Sequence, residues 1–105
     1  TRQMALEWGP AGIRVNAIAP GLVDGGMSAS IYADPATRAA RTARVPLGRL
    51  ATPDDIAEAV WWISSPGASY VTGQELLVDG GVTMGIIGTL PRPSAVDGAG
   101  GGTGA

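Results

Sequence analysis

The feature that most constrains this chain is Thr52-Pro53-Asp54-Asp55, a helix start set between two short β-type runs. Thr52 offers a capping hydroxyl, Pro53 suits the first helical position, and Asp54, Asp55 and Glu58 place negative charge at the positive end of the helix. Ile56, Val60 and Ile63, with Ala57 and Ala59, make an apolar stripe that Ser65-Pro66-Gly67 terminates. Upstream, Ile13–Ala19 reads as a strand ended by Pro20-Gly21, with Ile13, Val15, Ala17 and Ala19 alternating with Arg14, Asn16 and Ile18. Downstream, Glu75–Val78 reads as a second strand, closed by the turn Asp79-Gly80-Gly81. Strand, helical crossover and strand form the pattern of a parallel, right-handed βαβ unit, so an α/β fold is expected.

The remaining segments are read around that unit. Residues 1–9 predict a helix with Met4, Ala5 and Trp8 on one face, stopped by Gly9-Pro10. No convincing cap precedes it, and the chain opens on Thr1 instead of Met, so a fragment or processed product is expected. A short helix from Pro35 to Arg44 is expected with Asp34 as its cap. Residues 82–105 carry seven Gly and two Pro. The last dozen hold too little apolar surface to offset ordering entropy, so residues 85–105 are read as a flexible tail.

Composition narrows the chemistry. The 105 residues include no Cys, no His and no Lys; all seven basic residues are Arg. A thiolate or imidazole metal site, a Ser-His-Asp triad, a cysteine nucleophile, a Schiff base and a disulfide framework are therefore excluded. A formal net charge of −2 without a basic run argues against a nucleic-acid surface. No apolar run reaches the length of a membrane span, so the expected location is cytoplasmic and no membrane partner is expected.

At the first strand's end, Pro20-Gly21 lies where open α/β sheets bind ligands, though an ordinary strand-ending turn accounts for the same residues. Ala5–Gly21, with its core Ile13-Arg14-Val15-Asn16-Ala17-Ile18-Ala19-Pro20-Gly21, resembles the central stretch of the short-chain dehydrogenase/reductase family. Pro46–Ala57 resembles that family's approach to its last helix, and Ser69–Gln74 and Val78–Gly81 resemble its last turn and strand. These blocks stand in the family's order and cover residues 1 to about 84.

The resemblance implies the C-terminal βαβ part of a Rossmann-like, doubly wound parallel sheet, with residues 1–84 as its C-terminal segment. It implies NAD or NADP as cofactor, with Pro20, Gly21, Leu22 and Val23 packing against the nicotinamide end. The family's Gly-rich cofactor turn and its catalytic Ser, Tyr and Lys lie upstream of this segment, so no catalytic residue is assigned within the chain. Neither Tyr32 nor Tyr70 fits the Tyr-x-x-x-Lys pattern: Ala36 and Gln74 stand four residues on. Gly25 stands where relatives commonly place a cofactor-bonding Thr.

Residues 27–50 would form the lid over the substrate. Arg38, Arg41, Arg44 and Arg49 could attract an anion there, although a solvated helical face with surface ion pairs is the preferred reading. The adjacent Trp61 and Trp62 point in different directions, one toward the core and the other toward a subunit contact. The expected function is part of an oxidoreductase that moves hydride between nicotinamide and a small-molecule alcohol or carbonyl, inactive alone and a homo-oligomer when whole. The alternatives are a non-catalytic interaction module and a truncated product without function.

Overall fold

The computed structural model describes residues 1–88. Helix α1 (Arg2–Trp8) runs into a 3-10 turn at Gly9–Ala11, where Gly12 at φ +80° closes the end. Strand β1 (Ala17–Pro20) follows, then a 3-10 turn at Gly26–Ser28, α2 (Ala29–Tyr32) and α3 (Pro35–Thr42). Helix α4 (Pro53–Ser64), strand β2 (Glu75–Val78) and helix α5 (Val82–Gly88) complete the order.

The βαβ unit is present. β1 and β2 pair in parallel, in register from Ala17 with Glu75 to Pro20 with Val78, and α4 packs on both strands. α4 starts as its sequence dictates. Thr52 Oγ1 accepts from the Asp55 N–H, and the Asp55 carboxylate accepts from the Thr52 N–H at 2.7 Å, a reciprocal capping box. At α3 the Asp34 carboxylate accepts from both the N–H and the hydroxyl of Thr37.

Three expected boundaries differ. The first strand spans Ala17–Pro20, not Ile13–Ala19, because its partner begins only at Glu75. Before that point side chains replace the ladder. The Val15 N–H donates to Thr72 Oγ1, while Asn16 donates to the Val71 carbonyl and accepts from the Gln74 N–H. Pro20 closes the strand from inside instead of following it. The helix expected over Pro35–Arg44 ends at Thr42. Helix α5 crosses the expected tail boundary at residue 85, and the rest of that tail lies outside the described residues.

The core is small. Tyr32, Val45 and Leu50 form a buried cluster against which Leu22 and Val82 pack. It joins the loop after β1, helix α2, the segment before α4 and the start of α5, all at the carboxyl ends of the strands. Behind the strands, Arg14 donates to the carbonyls of Ile63 and Val71 at 2.8 and 3.2 Å, placing a positive charge at the C-terminal end of α4.

Candidate functional site

β1 delivers its chain into the loop Pro20–Val23, and three contacts fix where that loop goes. The Gly21 N–H donates to the Val78 carbonyl at 3.0 Å, extending the ladder by one rung beyond the strand. A parallel bridge then joins Val23 to Ala51: Ala51 N–H donates to Leu22 O and Asp24 N–H donates to Ala51 O, both at 2.9 Å. Leu22 rests on the buried cluster.

In a parallel bridge the residue at its centre turns its own peptide groups away from the partner. No hydrogen bond among the described residues engages the N–H or C=O of Val23. Val23 is half-buried and Pro20 is exposed. The loop therefore offers one free donor and one free acceptor on the same residue, at the carboxyl end of a parallel strand.

Glycine is required at 21 for a reason that its local turn does not reveal. A Cβ there would lie 2.7 Å from both Cα and Cβ of Asp79. The Asp79-Gly80-Gly81 turn is thus pressed onto the loop, and it is also pressed onto the segment before α4. At Gly80, φ +61°, a Cβ would meet Val45 Cγ1 at 2.8 Å; at Gly81, φ +93°, it would meet Pro46 Cγ at 2.9 Å. Asp79 itself accepts from the N–H groups of Gly81 and Thr83, and the Thr83 side chain and the Gly81 N–H hold its carboxyl below the usual carboxylate range. A cavity of about 180 Å³ opens beside this junction, bordered by Leu22, Leu47, Val78, Asp79 and the Arg49–Asp55 pair.

The arginines of residues 27–50 are mostly engaged with neighbours. Arg38 pairs with Asp24 at 2.6 Å, Arg49 pairs with both carboxylate oxygens of Asp55, and the Arg41 guanidinium lies 5.7 Å from the centre of the Tyr32 ring. The hydrogen bond from Arg49, with the Thr52 N–H behind it, lowers the Asp55 pKa far below the usual range. Arg44 is exposed and joins no ion pair among the described residues. The bond network thus follows the solvated ion-pair reading of this segment.

The two tyrosines lie apart from each other in environment. Tyr32 is 4% exposed within the core, and Tyr70 is fully exposed. At Gly25, extended at φ 162°, a Cβ would sit 2.7 Å from Pro53 Cγ, so the position leaves no room for a threonine without a shift of the proline. Of the residues expected to matter, the fold brings Pro20–Val23 to one strand end and sets Asp24 and Arg38 beside them. Sequence reasoning passed over Asp79 as a plain turn; the signal was an acid followed directly by two glycines.

A family model described as enoyl-(acyl carrier protein) reductase matches residues 1–83. A 3beta-hydroxysteroid dehydrogenase from Eggerthella lenta is 49% identical over 84 residues, 80% of this chain and 32% of that protein. The chain thus spans about a third of the length of the curated relatives it matches. Among solved structures, a 4-hydroxyisoleucine dehydrogenase complexed with NADH is 31% identical with a TM-score of 0.76, over 80% of this chain and 35% of that one. An Agrobacterium tumefaciens protein with bound NADP, described as a 2-deoxy-D-gluconate 3-dehydrogenase, is 43% identical with a TM-score of 0.74, over 80% of this chain and 34% of that one.

Proposed function

The chain belongs to the short-chain dehydrogenase/reductase family, a Rossmann-type α/β family, and from that premise we propose that it supplies the nicotinamide-side loop and the substrate lid of an NAD(P)-dependent oxidoreductase. The observation that carries this reading is the unengaged peptide of Val23. A carboxamide needs one acceptor for its N–H and one donor for its carbonyl, and Val23 offers both from one backbone residue. Bound there, the nicotinamide would give or take a hydride at C4, facing a small-molecule alcohol or carbonyl.

This chain's own part is to hold and orient. Pro20 and Val23 form the contact surface; Gly21, seated on Asp79, and Leu22, seated on the core, fix that surface from behind. Such fixing matters because misplacing reacting groups by about 1 Å can cost on the order of 100-fold in rate. Neither tyrosine stands beside the loop in a pair with a lysine, since the chain has none, so acid–base work is assigned to residues outside this chain and the chain alone is inactive.

The test is a titration of isotope-labelled chain with NADH and NADPH, followed through backbone amide shifts and a turnover assay. Perturbation centred on the amides of residues 21–24 without turnover supports the proposal. Turnover by the purified chain, or perturbation that spares those amides, overturns it.

A second reading has its own observation. Trp61 is 75% and Trp62 48% exposed on α4, neighboured by exposed Val60, an apolar surface suited to a second copy of the chain. As an interaction module, or as the homo-oligomer contact of a whole enzyme, the chain would associate in sedimentation as its concentration rises. Monomeric behaviour throughout would remove this reading.

A further inference from the structure

Helix α3 is tied to the rest of the molecule differently from its neighbours. α2 is anchored in the core by Tyr32, and α4 buries Ile63, but α3 buries none of its residues. It packs on α2 and extends two arginines from one face, Arg38 and Arg41, three residues apart. Arg41 lies over the Tyr32 ring, and Arg38 reaches Asp24 at 2.6 Å.

Asp24 is the last residue of the loop held by backbone pairing, through its N–H to Ala51. The chain then leaves through Gly25 and Gly26, the latter at φ +54°, before entering the lid. The Arg38–Asp24 pair therefore closes the ring 24–38 across its two-glycine exit, next to Val23.

We propose that α3 is a flap clasped beside the Val23 peptide by the Arg38–Asp24 ion pair, which makes Arg38 a positioning residue for what enters there. The relevance to a cofactor or substrate rests on the reading of Pro20–Val23 given above; the clasp itself does not. The hold is weak by construction. The side chains of Arg38 and Asp24 are 50% and 30% exposed, and such a pair shifts an opening equilibrium by up to about fivefold. A flap must open readily, which a buried anchor would prevent. Once released, an eight-residue helix is too short to persist in water, so opening registers as loss of α3 hydrogen bonds.

Hydrogen exchange of the full chain tests this. In R38Q, amides of residues 38–43 should exchange about threefold to fivefold faster than in the native chain, with those around Val45 and Leu50 unchanged. Raising salt from about 0.05 to about 0.5 M should speed exchange in the native chain but not in R38Q. The charge-reversed pair D24R/R38D should restore protection, which a purely steric role of Arg38 would not allow. Equal α3 exchange in R38Q and native chain, or no recovery in the reversed pair, overturns the clasp. The nicotinamide titration fails or succeeds independently of these outcomes, so a failed loop assignment and a failed clasp are told apart.

Discussion

Gly21 and Asp79 meet backbone to backbone: a Cβ on Gly21 would stand 2.7 Å from the Asp79 Cα. Because main chain is struck, relief requires moving the turn between β2 and α5. G21A should therefore destabilise the chain by about 1–3 kcal/mol, read as a lower denaturant midpoint. G67A is the contrast. A Cβ on Gly67 would meet nothing nearer than Ser65 Oγ at 3.5 Å, ordinary contact, so alanine there should leave the midpoint unchanged or raise it slightly.

A second collision is separable by a double substitution. G25T should lower stability because its Cβ would strike Pro53 Cγ. P53A removes the obstructing ring atom, so G25T should cost less in that background, a coupling measurable in a four-variant cycle. Strict additivity would show that Pro53 does not confine position 25.

Acid should destabilise the fold through three carboxylates. Asp34 is lowered by the Thr37 hydroxyl, Asp55 by Arg49, and Asp79 by the Thr83 side chain, with backbone N–H groups adding to each. Their folded values lie below their unfolded ones, so the unfolded chain binds more protons as pH falls. The stabilisation is full above about pH 4 and is lost progressively below it as pH falls through the folded values. Unfolding midpoints measured down the acid limb should fall, and D55N should flatten that limb.

One terminal nitrogen of Arg14 donates to two carbonyls, Ile63 O at the end of α4 and Val71 O in the turn before β2. R14M should cost about 1–3 kcal/mol, because it leaves the Ile63 carbonyl without its charged donor, while Val71 O keeps Asn16. R14K should recover part of that loss, having charge but no planar fork. Thermal unfolding of the two variants distinguishes the donor's charge from its shape.

Legibility from sequence followed the range of the interaction. The capping residues Asp34 and Thr52 act within one turn, and both helix starts were readable because nothing distant decides them. Strand β2 is readable from Glu75–Val78 because the turn Asp79-Gly80-Gly81 closes it directly. β1 was placed too early because its extent depends on where β2 begins, about 57 residues away, and because Asn16 and Thr72 replace ladder bonds with side-chain ones. At the candidate site, the turn Pro20-Gly21 was visible. Its cause was not: Asp79 against Gly21, Pro53 against Gly25 and Arg38 against Asp24 are all tertiary neighbours.

The position of Pro20 within β1 governs what can lie on the strand's other side. Ala17 and Gly21 point their N–H groups at β2, so the alternation sends those of Ile18 and residue 20 to the opposite edge. Proline has no N–H to send. A third strand laid along that edge would find a donor at Ile18 and none one pleat later, and the two chains would part there. A sheet extended on that side would split at its carboxyl end, and Gly21 would be the first residue past the split.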